Sequence, residues 1–192
     1  MAELDLQHLV ALSRPVAEGF ARVEPRPWDR SAVLLELVGE IGSLAHVVQM
    51  LEGFKRGGAS TDRLADECCD VIFVALRLAR EDGVALPDRL PIPPVETSRP
   101  SALILQMCRD LAAFVEASAT PEALTRVLGH ATAIAEGAGV DVAAAYEREM
   151  AIAAGFFDAC GDAWPNPQPL RRPLATLRLW RLLWHRHSSP RK

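Results

Sequence analysis

The stretch that decides the fold is residues 31–83, SAVLLELVGEIGSLAHVVQMLEGFKRGGASTDRLADECCDVIFVALRLAREDG. Apolar residues recur in it at helical spacing on both sides of the loop FKRGGAS. Ser31 and Ser60 stand where N-cap residues belong, and Gly53 and Gly83 stand where helices commonly end. The stretch therefore predicts two consecutive helices joined by a short loop.

Further helices are predicted on both sides of this pair, whereas strand signals are nearly absent. A first helix is expected from about Asp5 to Arg22, and Pro15 within it predicts a kink or a break. A proline-rich linker follows the central pair. Three more helices are then expected, over residues 101–117, 120–137 and 141–160. The sequence predicts an all-α protein.

An internal repeat relates SAVLLELVGEIGSLAHVV at residues 31–48 to SALILQMCRDLAAFVEAS at residues 101–118 without a gap. Any two amphipathic helix pairs look similar at this level, so duplication and chance likeness both stay open. Duplication would make residues 31–90 and 101–160 two helix pairs of a pseudo-twofold four-helix bundle.

The end of the chain differs from the rest in charge. From Leu170 onward there are seven Lys or Arg and no acid, which leaves 14 basic and 25 acidic residues before it, a net charge of −11. We expect a helical domain over residues 1–162, then a proline-containing connector and a basic amphipathic helix over residues 163–192. That helix suits an anionic membrane surface or an acidic partner, and a loosely docked extension is the alternative. The acidic body argues against nucleic-acid binding.

Carboxylates recur one helical turn apart in both central helices. Glu67 and Asp70 are three residues apart in DECCD, while Glu36 and Glu40 precede Ser43 on the other helix. Magnesium beside phosphates takes several carboxylate oxygens, and such pairs on facing helices can supply them. The same spacing is typical of a solvated helix face. The pattern alone leaves both interpretations open.

These residues resemble the motifs of the MazG-like nucleotide pyrophosphohydrolases, an all-α superfamily, and especially its dCTP pyrophosphatase branch. LLELVGEIGSLAHVVQ is similar to the pattern LVGExGELxE, and LADECCDVIFVALRLAREDGVALP is similar to ELSDVLxYLxxLA followed by G-V-D-L-P. Trp28 matches a tryptophan that precedes the first motif helix. The resemblance covers residues 20–87 well and residues 139–157 faintly.

The resemblance implies a helical bundle, often oligomeric, in which acids bind Mg²⁺, with Mn²⁺ as an alternative. The metal holds a nucleoside triphosphate and helps activate the water that releases a nucleoside monophosphate and pyrophosphate. Carried over by position, Glu40, Glu67 and Asp70 are the predicted ligands and catalytic residues, with Glu36 as a reserve ligand. Trp28 is a predicted substrate contact.

Several positions depart from the family pattern. Ser43 replaces its second glutamate, and Glu149 stands in the place of a phosphate-facing lysine. Lys55 and Arg56 in the FKRGGAS loop are candidate phosphate contacts, although the loop also fits an ordinary flexible connector. We therefore expect a Mg²⁺-dependent nucleoside triphosphate pyrophosphohydrolase. The alternative is a degenerate module that binds a nucleotide or a protein partner without turnover.

The second half of the repeat offers fewer ligands. Asp110 falls opposite Glu40, but Ala123 and Arg126 fall opposite Glu67 and Asp70. One site per chain is therefore the most that the repeat predicts, and a homodimer is possible.

Location and cysteine state are also expected from the sequence. The first residues, MAELDLQHLV, lack a run apolar enough for a signal peptide, and no integral membrane segment is expected, which favours the cytoplasm. The cysteines are interpreted as small buried apolar side chains, and they are Cys68, Cys69, Cys108 and Cys160.

Overall fold

The computed structural model describes residues 3–92, 99–116 and 120–160. The described residues contain six helices and one two-stranded sheet. In chain order the elements are β1 (Glu3–Asp5), α1 (Leu6–Val23), α2 (Arg30–Leu51), α3 (Thr61–Glu81), β2 (Arg89–Pro91), α4 (Pro100–Glu116), α5 (Pro121–Gly137) and α6 (Val142–Cys160). The prediction of an all-α helical bundle is confirmed. The basic segment, residues 163–192, lies outside the described residues, so its helix stays a prediction.

The bundle consists of two helical hairpins. α2 packs along α3, and α4 packs along α5. The hairpins meet chiefly through α3 and α5, with a second contact between α2 and α4. The longest buried runs, residues 71–79 and 127–135, fall at matching places in these two central helices. This pairing is the one that a pseudo-twofold bundle of two helix pairs requires.

α1 and α6 pack against each other outside the hairpins. The Ser13 and Tyr146 hydroxyl groups lie 2.6 Å apart in a buried hydrogen bond. The rings of Phe20 and Phe157 meet edge to face, with centroids 4.9 Å apart. A Cβ atom at Gly19 would lie 2.4 Å from the Phe157 ring, so the close approach of α1 and α6 depends on glycine at this position.

Helix α2 starts earlier than the sequence predicted. Ser31 lies inside the helix, and the N-cap is Asp29, whose carboxylate accepts a hydrogen bond from the Ala32 backbone N–H at 2.9 Å. The prediction of Ser31 as the cap was wrong, because aspartate is as good a capping residue and stands two positions earlier. By contrast, Ser60 caps α3 as expected, with its hydroxyl accepting from the Arg63 N–H.

The structure also adds to two other predictions about local structure. Pro15 lies within α1, which continues through it without a break. The segment predicted as a proline-rich linker contributes β2, which pairs antiparallel with β1 so that Leu4 lies opposite Leu90. Both leucines are buried. A strand of three residues is too short to show the alternation that reveals strands in a sequence.

The cysteines only partly match the prediction of buried apolar side chains. Cys68 and Cys69 are buried free thiols, and burial raises the pKa of both. Cys108 is an exposed free thiol, so the prediction was wrong for this residue. It lies on α4 one position beyond Met107, which faces the core, and the helical rotation turns Cys108 outward. The Cys160 side chain lies outside the described residues.

α2 is unusually apolar among the described helices. By length and composition it is the one described helix that could cross a membrane, with a mean hydropathy of 1.5 over its most apolar window. Only 39% of that window is buried within the protein. Core helices of soluble proteins also pass this test, so the expected absence of a membrane segment stays a prediction.

Candidate metal centre

Three carboxylates converge where α2 packs on α3. Glu40 comes from α2, and Glu67 and Asp70 come from one face of α3 because they are three residues apart. One ligand oxygen from each lies within 4.8 Å of the other two. Oxygens on opposite sides of an octahedral Mg²⁺ ion are about 4 Å apart, so small side-chain adjustments would bring all three onto one ion. We call these residues the acidic triad.

The triad is not a solvated helix face. Glu40 is 7% exposed and Glu67 is 1% exposed, while Asp70 is half-buried. Burying a carboxylate costs free energy unless a cation or hydrogen bonds compensate it. The Arg63 Nε atom lies 3.8 Å from a Glu67 carboxylate oxygen, but the arginine side chain is 42% exposed. Two buried acids beside a half-buried one form a cluster that could hold a divalent cation.

Glu36 lies beside the triad. It does not belong to the group of carboxylates that meet within 4.8 Å among the described residues. Its side chain hydrogen-bonds to Glu40, and burial raises its pKa, against a lowering effect of the Arg77 charge. The structure thus places Glu36 against Glu40, and the roles of Glu40 as a ligand and of Glu36 as a reserve ligand stay predictions.

Trp28 lies before α2, on the N-terminal side of Glu40. The Arg77 guanidinium covers its indole ring at 4.4 Å from the centroid. Arg77 is buried and also donates two hydrogen bonds to the Glu24 carboxylate, at 3.0 and 3.1 Å. The sequence prediction singled out Trp28 but missed this arginine and glutamate, because the contact joins segments far apart in the chain. One face of the indole is therefore occupied by the protein itself.

The loop with Lys55 and Arg56 lies on the other side of the triad from Trp28. Both side chains are exposed, and the Lys55 ammonium lies 3.0 Å from His46 Nδ1. His46 is six residues after Glu40 on α2, a rise of about 9 Å along the helix. The predicted substrate contacts thus lie at opposite ends of the α2–α3 hairpin, with Trp28 at one end and Lys55 and Arg56 at the other, on either side of the acidic triad.

A second pair of acids lies beside α3. Glu149 on α6 hydrogen-bonds to Asp66, and burial together with the Asp66 charge raises the Glu149 pKa to about 7. The charges of Glu149 and Asp70 both act on the buried Cys69 thiol, whose pKa is raised mainly by burial, so this pair lies near the triad. The family resemblance placed Glu149 at a lysine position, and nothing in the sequence indicated that it contacts Asp66. The carboxyl groups of Glu149 and Asp66 disfavour binding of an anionic ligand beside them at neutral pH.

Among the described residues of the second hairpin, the positions that match the triad do not hold a comparable set of acids. Asp110, the counterpart of Glu40, accepts a hydrogen bond from Arg126 Nε at 2.8 Å and lies 2.9 Å from His130 Nε2. Asp110 is buried, so this contact supplies the compensation that its charge needs. Arg126 stands in the repeat position of Asp70. The expectation of at most one ligand set per chain stays a prediction.

No known family model, curated protein or solved structure matches this chain. The likeness to MazG-like pyrophosphohydrolases therefore rests on the motif residues alone, and membership of that superfamily stays a prediction. The convergence of Glu40, Glu67 and Asp70 is a separate observation, because it follows from the packing of two helices and from no comparison.

Proposed function

We propose that the protein is a divalent-cation-dependent hydrolase of nucleoside triphosphates that releases a nucleoside monophosphate and pyrophosphate. The observation that carries the proposal is the convergence of Glu40, Glu67 and Asp70 within 4.8 Å. Carboxylate oxygens are the ligands that Mg²⁺ and Mn²⁺ prefer. The motif resemblance supplies the class of substrate, and the structure is compatible with it.

In such a reaction the residues of the α2–α3 hairpin would have different roles. The triad would hold the cation, which when bound polarises phosphoryl oxygens and lowers the pKa of water. Glu36 hydrogen-bonds to Glu40 and would hold that ligand in place. Lys55 and Arg56 are exposed cations in the loop at one end of the hairpin and suit the phosphates. Trp28 at the other end suits the base.

The proposal is tested by measuring pyrophosphate release from the common and modified dNTPs with Mg²⁺ or Mn²⁺. We expect the full-length protein to release pyrophosphate, and we expect Glu40→Gln and Asp70→Asn each to reduce the rate at least about 100-fold, because each removes a ligand charge. Glu18→Gln, which changes an exposed acid on α1, is the matched control and should keep the parent rate. Absence of pyrophosphate with every nucleotide at high enzyme concentration would refute hydrolysis.

A second candidate function is binding of a nucleotide without turnover. It is favoured by the neutral Ser43 one turn after Glu40, and by the Asp66–Glu149 pair beside α3. Calorimetry with Mg²⁺ and a nonhydrolysable triphosphate separates the two. Binding without hydrolysis in the parent protein favours this candidate, and hydrolysis gained by Ser43→Glu would identify Ser43 as a lost ligand position.

A further inference from the structure

A single charged side chain, Arg77, lies inside the longest buried run of α3. The run is residues 71–79, VIFVALRLA, and its other residues are all apolar. The Arg77 side chain is only 7% exposed. Burying a charge costs free energy unless partners compensate it, and an apolar residue in its place would avoid that cost. The partners of Arg77 therefore indicate what this residue does.

Two partners of Arg77 belong to the segment that connects α1 to α2. The guanidinium donates to both carboxylate oxygens of Glu24, at 3.0 and 3.1 Å, and lies over the Trp28 ring at 4.4 Å from its centroid. A planar guanidinium can make a two-pronged bond and stack on a ring at the same time, which a lysine ammonium cannot do. Arg77 thus holds the connecting segment, residues 24–29, against α3.

A third partner of Arg77 lies on α2 and leads to the acidic triad. Burial raises the pKa of the Glu36 carboxyl, and the nearby Arg77 charge opposes this effect by favouring the ionised form. The Glu36 side chain also hydrogen-bonds to Glu40, a member of the triad. Neighbouring side chains therefore form a continuous chain of interactions, which runs from Trp28 through Arg77 and Glu36 to Glu40.

We propose that Arg77 is a positioning residue of the candidate cation site: it fixes Glu36, which in turn orients the Glu40 carboxylate within the acidic triad. The inference rests on the proposed function, since it takes the triad as the place where the cation binds. Arg77 itself is not a ligand, because it carries a positive charge. It also lies two helical turns, about 10 Å, beyond Asp70 along α3.

Positioning and simple charge predict opposite effects of removing Arg77. A positive charge near the triad repels a bound cation, so loss of that charge alone would strengthen cation binding. Displacement of Glu36 would weaken it, because side chains that orient a metal ligand typically account for about a 10- to 100-fold difference in affinity. Arg77→Lys separates the two effects, since lysine keeps the charge but cannot hold Glu24 and Trp28 together.

The test is Mn²⁺ binding to the full chain, measured by electron paramagnetic resonance, which needs no turnover of substrate. We expect Arg77→Lys and Arg77→Met each to weaken Mn²⁺ binding about tenfold. The zero-field splitting of bound Mn²⁺ should change as well, because the Glu40 carboxylate meets the ion differently. Leu78→Val, which alters the buried core next to Arg77, is the matched control and should keep both the affinity and the splitting.

A double-mutant cycle shows whether Arg77 acts through Glu36. Glu36→Gln keeps the size of the side chain and should weaken Mn²⁺ binding about tenfold by itself. In that background Arg77→Lys should have no further effect, because the chain of interactions is already broken. Parent affinity in Arg77→Lys would overturn the inference, and so would parent or higher affinity in Arg77→Met. Additive effects of Glu36→Gln and Arg77→Lys would also overturn it.

The role of Arg77 and the proposed hydrolysis can fail separately. Pyrophosphate release together with unchanged Mn²⁺ binding in Arg77→Lys would leave the function standing and overturn the role of Arg77. Mn²⁺ binding that depends on Arg77 and Glu36 jointly, in a protein that releases no pyrophosphate, would support the role of Arg77 and refute the hydrolysis. A parent protein that binds no Mn²⁺ at millimolar concentration would overturn both.

Discussion

At the scale of single residues, the charge of a carboxyl group depends more on its surroundings than on whether it belongs to Asp or Glu. Glu149 and Asp66 lie in hydrogen-bonding contact, and Glu149 is 7% exposed. Burial and the neighbouring negative charge both disfavour ionisation, so the Glu149 pKa rises to about 7. Its ordinary value in an unfolded chain is near 4.5. The folded protein therefore binds a proton at this position that the unfolded chain has already lost at neutral pH.

This difference makes the fold less stable as the pH rises through 7. A raised folded-state pKa contributes stability at low pH, and that contribution is lost above the folded pKa. We expect the free energy of unfolding to fall by about 1 kcal/mol between pH 6 and pH 8 because of Glu149. Glu149→Gln should remove this part of the pH dependence and stabilise the protein at pH 8.

Urea denaturation at pH 6, 7 and 8 in the presence of a chelator measures the effect. Glu147→Gln, an exposed acid on the same helix, should keep the parent pH dependence. If the parent protein and Glu149→Gln show the same difference between pH 6 and pH 8, the assignment of this proton to Glu149 is wrong.

At the scale of the elements, capping residues set where the helices begin. For α2 the sequence alone did not identify the capping residue. Asp29 and Ser31 are both good capping residues two positions apart. Backbone geometry decides between them, because Asp29 is extended and accepts from the Ala32 N–H. The same helix carries Glu40, one member of the acidic triad.

Removing the cap should therefore destabilise the first turn of the helix that carries Glu40. We expect Asp29→Ala to lower the free energy of unfolding by about 1 kcal/mol, because the first turn loses a hydrogen-bond acceptor. Ser31→Ala is the matched control and should change it by less than about 0.5 kcal/mol, because Ser31 is exposed inside the helix. Chemical denaturation of the two variants decides, and a larger loss for Ser31→Ala would contradict the assignment of the cap.

At the scale of the whole molecule, two similar hairpins compensate the same buried acid differently. Glu40 in the first hairpin faces Glu67 and Asp70, which suits a bound cation. Asp110 in the second hairpin contacts Arg126 and His130, which are side chains of the protein itself. The first hairpin thus holds three acids that could bind a divalent cation, whereas in the second hairpin other side chains of the protein compensate the buried acid.

This contrast predicts that Arg126 stabilises the second hairpin. We expect Arg126→Met to lower the free energy of unfolding by about 1 to 2 kcal/mol, less than for a fully buried pair, because the arginine side chain is 51% exposed. Arg14→Met changes an exposed arginine on α1 and should have little effect. Equal stability of the two variants in urea denaturation would show that His130 alone compensates Asp110.

Much of the fold followed from local signals. The helices of the described residues lie close to where periodicity, Ser60 and the glycines placed them, because helix formation depends on neighbours within a few residues. The spacing of Glu67 and Asp70 likewise placed both on one face of a helix. The misplaced cap of α2 and the short strand pair were local features too, but their signals were ambiguous or too short.

The sequence by itself thus determined the helices and the acids that share a helix face. Only the tertiary structure decided that Glu40 meets Glu67 and Asp70, that Glu36 hydrogen-bonds to Glu40, and that Arg77 covers Trp28. It also decided that Glu149 lies against Asp66 and that Arg126 neutralises Asp110. The physical reason is that periodicity fixes the face of a helix, whereas the charge opposite that face belongs to another helix, brought there by packing.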